Sequence, residues 1–176
     1  MRATLLLFLS LSLLLGSVQA NELRVGEPAP AFALPDQHGV THRLEDYAGR
    51  WLVLYFYPKD DTPGCTTEAC NFRDAIHRLV ARDTRILGVS MDDQQSHEAF
   101  AEKYELPFPL LSDPEGITVA DYEALAEYLV FRFARRHTFI INPEGRIARI
   151  YREVDPDEHV FQVLADLRAL QQPDES

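Results

Sequence analysis

The chain has 176 residues, two cysteines, and 28 acidic against 17 basic side chains, for a formal charge of −11. That balance argues against a nucleic-acid partner, because affinity for a phosphate backbone comes from Lys and Arg. Two cysteines are too few for a disulfide scaffold, so a hydrophobic core must hold the fold, and the length suits one domain with such a core.

Residues 1–20 carry one charge, Arg2, then an apolar run over 5–15 broken by two serines, then Gly16-Ser17-Val18-Gln19-Ala20. Val18 and Ala20 are small residues where a signal peptidase reads, and the run is short of the roughly 20 residues that span a bilayer. The reading is a signal peptide over 1–20, cleaved before Asn21, with no stable membrane insertion afterwards. Export to an oxidising compartment follows, most simply a bacterial periplasm. The mature domain then covers 21–170, and 171–176 reads as a disordered tail.

Beyond an irregular lead-in, 31–34 and 40–44 are alternating runs joined by Pro35-Asp36-Gln37-His38-Gly39, a hairpin signal, and 45–50 is a turn. The apolar run 51–56 predicts a buried strand, and an amphipathic helix follows to about Val80, with Thr62 as its cap and Pro63 at its first position. Residues 85–90 predict a second buried strand. Asp92 and Asp93 can cap a helix to about Tyr104, with Ala99, Phe100 and Tyr104 on one face. Residues 106–109 are extended around two prolines, and 110–116 leads into a helix predicted from about Ile117 to Tyr128.

Residues 138–142 and 147–151 form a hairpin around Pro143-Glu144-Gly145-Arg146. Asp155-Pro156 starts the last helix, which buries Val160, Val163, Leu164 and Leu167. The order from Trp51 onward is β-α-β-α-β-β-α. It implies an α/β protein with a mixed central sheet flanked by helices, the order of the thioredoxin fold, with the first hairpin as an N-terminal extension.

Both cysteines lie in Tyr57-Pro58-Lys59-Asp60-Asp61-Thr62-Pro63-Gly64-Cys65-Thr66-Thr67-Glu68-Ala69-Cys70, so Cys65 opens a helix at the end of a buried strand. Free backbone N–H groups and the positive end of the helix dipole there favour thiolate over thiol. On a regular helix Ala69, Phe72, Ile76, Leu79 and Val80 share the Cys65 face, and Cys70 lies roughly 140° away. Their Cα atoms would be about 8.6 Å apart, too far for a disulfide. Either the first turns are not helical and a structural disulfide is open to the pair, or the bond forms only after local unwinding, as in a redox cycle.

The chain resembles a peroxiredoxin of the bacterioferritin-comigratory-protein, or peroxiredoxin Q, group. Pro58, Thr62 and Cys65 fit the family's P-x-x-x-T-x-x-C signature, and Cys65 with Cys70 fits this group's C-x4-C form. Gly26-x-Pro28-x-Pro30-x-Phe32-x-Leu34, Phe72-Arg73-Asp74, Ser96-His97, the run 107–113 and Arg136-x-Thr138-Phe139 are also similar to the group. Two departures are Tyr122-Glu123-Ala124-Leu125, in place of a Tyr-Gly-Val-like step, and Asn142, where Asp is usual.

The resemblance implies a thiol-dependent peroxidase of the atypical two-cysteine kind, acting on hydrogen peroxide and alkyl hydroperoxides. Cys65 would be the peroxidatic residue and Cys70 the resolving one, joined in a redox-active Cys65–Cys70 disulfide that a thioredoxin-like dithiol or a small thiol reduces. Arg136 would supply the charge, Thr62 a hydrogen bond, Pro58 shielding from water, and Glu68 the orientation of the arginine. A monomer without cofactor or metal is implied.

Two other classes compete. A thiol–disulfide oxidoreductase would carry C-x-x-C, and a cis proline where this chain has His137. A metal chaperone would need a histidine converging on Cys65 and Cys70, but His77 falls on the Cys70 face, and His38, His42, His97, His137 and His159 show no ligand spacing.

Overall fold

A computed structural model describes residues 22–172. The predicted signal peptide over 1–20, Asn21 and residues 173–176 of the predicted tail lie outside the described residues.

The architecture is built on β3 (Trp51–Phe56), which pairs in parallel with β4 (Thr84–Ser90) and antiparallel with β8 (Thr138–Ile141). With β5 (Leu110–Ser112) and β9 (Ile147–Tyr151) at the edges, the sheet runs β5-β4-β3-β8-β9. Because β3 is covered on both faces, its sequence is continuously apolar instead of alternating. Val53, Tyr55 and, just beyond the strand, Tyr57 join a core with Cys65, Ala69 and Phe72 of α1 (Pro63–Asp74), Leu79 of α2 (Ile76–Val80), Phe100 of α3 (Gln94–Tyr104), and Val160, Val163, Leu164 and Leu167 of α5 (His159–Leu170).

Leu52, Leu54 and Phe56 join the opposite core, with Phe32, Leu34, Tyr122 and Val119 of α4 (Ile117–Asp121). The strands β1 (Ala33–Pro35) and β2 (Thr41–Arg43) form the N-terminal hairpin, followed by a 3-10 turn over Leu44–Tyr47. Gly88 faces Tyr55 across the parallel pair, and a Cβ there would lie 2.8 Å from the Tyr55 ring, so only glycine admits this tyrosine.

Five expectations change. The helix expected from Ile117 to Tyr128 stops at Asp121, because Tyr122 is drawn fully into the core against Phe56 and Phe139 and Glu123 turns left-handed at φ 56°. A second hairpin follows instead, β6 (Leu125–Tyr128) with β7 (Phe131–Ala134). The run after Pro109 forms β5, held by β4. The cysteine helix breaks at Ala75 into α1 and α2, and in α3 the buried residues are His97, Phe100 and Ala101, with Ala99 exposed. Gln171, read as the start of a disordered tail, caps α5, and its side-chain amide donates to the Arg82 carbonyl at 2.8 Å.

Candidate active site

The loop between β3 and α1 is tied down by its own carboxylates. Asp60 is buried and accepts from Tyr57 Oη at 2.7 Å, Ser96 Oγ at 2.8 Å and His97 Nδ1 at 2.8 Å, while its N–H donates to Asp92 Oδ2. The other His97 nitrogen faces the Leu111 carbonyl at 3.2 Å. Asp61 takes the left-handed conformation (φ 55°), an acidic residue being among the few that tolerate it. Its carboxylate accepts from Lys103 Nζ and from Tyr104 Oη at 2.7 Å. The β3 strand end and α3 therefore fix the approach to α1 from both sides.

Thr62 occupies the N-cap position and Pro63 follows at the first helical position. The Thr62 carbonyl accepts from Thr66 N at 2.9 Å, but the hydroxyl does not cap the helix; it donates back to the Lys59 carbonyl at 3.0 Å. In this state it does not donate to the sulfur either. Pro58 is half-buried within the same loop.

Cys65, 2% exposed, sits in the first turn, and Arg136 Nη2 donates to its Sγ at 3.1 Å. Arg136 Nη1 donates to Glu68 Oε2 at 2.8 Å. The arginine reaches the sulfur because its backbone is pinned where β7 gives way to β8: Arg135 N donates to the Ala124 carbonyl, and Phe56 N to the His137 carbonyl, both at 2.7 Å. Arg132 and Arg135 are exposed, so of these three neighbouring arginines only Arg136 turns inward. Planar guanidinium geometry lets one side chain serve sulfur and carboxylate together.

Burial pushes the Glu68 carboxyl up to about 7, against the pull of Arg136, and its Oε1 has no hydrogen-bond partner. The Tyr55 hydroxyl is likewise buried without a partner, and burial, followed by the charges at Glu68 and Cys65, raises its pKa well above that of an ordinary phenol.

Cys70 is half-buried, five residues along the same unbroken helix, and both thiols are free. The structure thus joins Cys65, Arg136 and Glu68 directly, carries Pro58 and Thr62 in the loop that leads to them, and leaves Cys70 outside the core that encloses Cys65.

Two contributors were not singled out from the sequence. Gly64 clears the path of the arginine, since a Cβ there would lie 2.9 Å from Arg136 Nη2. Its signal was the glycine immediately before the cysteine. Arg73 donates to the Tyr104 carbonyl at 2.8 Å and lies within electrostatic reach of Cys70, which helps raise its pKa after the larger effect of Asp74.

Among known proteins, the AhpC/TSA family model matches residues 25–150. The chain is 42% identical to the Bacillus subtilis peroxiredoxin Bcp over 153 residues, covering 83% of this chain and 96% of that protein. It is 39% identical to the chloroplastic peroxiredoxin Q of Populus jackii over 146 residues, covering 82% and 68% respectively. The crystal structure of a Xylella fastidiosa PrxQ mutant superposes with a TM-score of 0.81 at 32% identity, over 86% of this chain and 99% of that one. The Xanthomonas campestris bacterioferritin comigratory protein, described for alkyl peroxide reduction, gives 0.77 at 35% identity, over 80% and 92%.

Proposed function

The chain belongs to the AhpC/TSA family and, as a homologue of Bcp and peroxiredoxin Q, is a thiol-dependent peroxidase; from that premise we propose that Cys65 is the peroxidatic residue, Cys70 the resolving residue, and Arg136 the group that activates both sulfur and peroxide. The observation that carries this is the Arg136 fork, one nitrogen 3.1 Å from Cys65 Sγ and the other 2.8 Å from Glu68. It places positive charge and a directed donor where thiolate charge sits, at the positive end of α1. Glu68 positions the arginine, and Pro58 limits the access of water.

In the first step the Cys65 thiolate attacks one peroxide oxygen and the O–O bond breaks. The leaving oxygen takes a proton to depart as water or alcohol, and Cys65 becomes a sulfenic acid. Arg136 donates toward the peroxide as charge builds on oxygen. The Thr62 hydroxyl, its proton turned to Lys59, offers a lone pair to the peroxide O–H.

In the second step the Cys70 thiol displaces water from the sulfenic acid and an S–S bond forms. Four residues of regular helix separate the two cysteines, so α1 must unwind locally first. Thr66-Thr67, weak helix formers between the cysteines, lower the cost of that step. A thioredoxin-like dithiol or a small thiol then reduces the disulfide.

The enzyme acts as a monomer on hydrogen peroxide and alkyl hydroperoxides, after export to the periplasm. The leader pattern over 1–20 supports the export, and the family match begins only at residue 25.

The test is single-turnover oxidation of the reduced mature protein by hydrogen peroxide and by cumene hydroperoxide, followed by mass spectrometry. Wild type should give a Cys65–Cys70 disulfide, Cys70→Ser a sulfenic acid at Cys65, and Cys65→Ser no reaction. Wild-type oxidation no faster than that of a free thiol would overturn the assignment.

A further inference from the structure

We propose that the apolar tip of the β6–β7 hairpin is the docking surface for the protein dithiol that reduces the enzyme, an inference that rests on the peroxidase reading above. At the tip Tyr128, Leu129, Val130 and Phe131 are 69, 87, 87 and 65% exposed, four consecutive apolar side chains in solvent. The base of the hairpin is fixed: Ala126 and Ala134 are buried, Arg132 Nη2 donates to the Glu115 carbonyl at 3.1 Å, and Arg135 N to the Ala124 carbonyl. A rigid base thus presents an uncovered tip.

The tip also opposes its own local chemistry. Tyr128 pairs with Phe131, so Leu129 and Val130 form a two-residue turn, and Leu129 adopts a left-handed φ of 56°. Such turns select Gly, Asn or Asp; a leucine in that conformation is strained and a β-branched valine is a poor turn residue. Neither solubility nor turn stability accounts for Leu-Val here, whereas contact with a partner does. Departures of this kind from local consistency are expected at functional sites.

Size and position choose the occupant. Four such side chains expose on the order of 500 Å², at the upper end for the largest patch on a monomer. This is less than the roughly 800 Å² per partner of a stable complex and suits a transient redox encounter, the smallest class of specific interface. The tip itself bears no charge, while the chain carries a formal −11, which an anionic bilayer would repel. Phe131 is five residues from Arg136, at most about 17 Å of extended chain. A partner of about 100 residues, with a radius of gyration of about 13 Å, could cover the cysteines and still touch the tip.

The test uses the double variant Leu129→Asn/Val130→Gly, which installs a favoured hairpin turn while removing the apolar contact, so the fold is kept. Three rates are compared with wild type: oxidation by hydrogen peroxide, reduction by a purified thioredoxin, and reduction by dithiothreitol. Oxidation and dithiothreitol reduction should be unchanged, and thioredoxin reduction should fall at least tenfold in kcat/KM.

Unchanged thioredoxin reduction overturns the proposal, as does an equal fall with dithiothreitol, or a wild type that thioredoxin reduces no faster than dithiothreitol does. A wild-type dimer by sedimentation that the variant loses reassigns the tip to a second copy. Wild-type binding to phosphatidylglycerol vesicles that the variant loses reassigns it to a membrane. Failure of wild-type oxidation would strike the peroxidase reading instead.

Discussion

Two buried carboxylates flank the start of α1 and meet opposite treatment. Asp60 accepts from a phenol, a hydroxyl and an imidazole, so both of its oxygens are used. Glu68 has one oxygen on Arg136, the other on nothing, and a pKa pushed up to about 7. A satisfied buried network rigidifies its surroundings, while an incomplete one costs free energy that must be offset elsewhere. The loop before the cysteine is therefore anchored at Asp60, and at Glu68 stability is given up to hold the arginine on the sulfur.

Exchanging carboxylate for amide at both positions tests this contrast. Asp60→Asn turns an NH2 group toward donors and weakens the bond to buried His97, so it should cost about 3 kcal/mol in urea unfolding at pH 7. A cost below about 1 kcal/mol would break the contrast.

Glu68→Gln should do the reverse. Between pH 4.5, the ordinary value, and about 7, folded Glu68 binds more protons than the unfolded chain does, so its contribution to stability falls as pH rises through that window. His159 has the opposite slope. Burial lowers it from 6.5 to about 4, the unfolded chain binds more protons between those values, and stability is lost as pH falls through them. In wild type the two largely cancel. Glu68→Gln removes the falling limb, so at pH 8 the variant should be more stable than wild type by up to about 3 kcal/mol. Below pH 5 the two should converge. Parallel unfolding curves across pH 4–8 would refute the raised carboxyl.

Arg136→Lys probes the function that the Glu68 cost supports. A lysine reaches the site as a point charge and cannot bridge sulfur and carboxylate in one plane, so peroxide oxidation should slow about 100-fold while stability changes by less than about 1 kcal/mol. A loss in stability larger than the loss in rate would make the arginine structural.

How legible this was depends on whether local or distant residues decide each feature. The strands β3, β4, β8 and β9 and the buried stripe of α5 could be read because apolar runs, turn signals and helical spacing are properties of the segment itself. The Cys65 helix start was legible for the same reason, from Thr62-Pro63. The Arg136 contact could not be read from spacing, since it lies 71 residues from Cys65 and beside two exposed arginines, and only the family resemblance pointed to it. The β6–β7 hairpin stayed hidden because Leu129-Val130 lacks turn residues and the helix before it ends through packing of Tyr122 in a distant core. The role of Asp60 depends on Ser96 and His97, 36 and 37 residues away.

The smallest predicted effect isolates geometry from charge. Gly64 has room for hydrogen only: an added Cβ would lie 2.9 Å from Arg136 Nη2, and 3.6 Å from Pro156 Cγ, an ordinary contact. In Gly64→Ala the guanidinium must therefore retreat by a few tenths of an ångström, lengthening its bonds to Cys65 and Glu68 without removing any charge. Alanine is also the better helix former, by up to about 1 kcal/mol. Thermal stability should accordingly hold or rise while peroxide oxidation slows roughly tenfold, since displacement at this scale acts directly on a positioned donor. A variant that gains stability and keeps its full oxidation rate would show that the 3.1 Å contact is not what activates the sulfur.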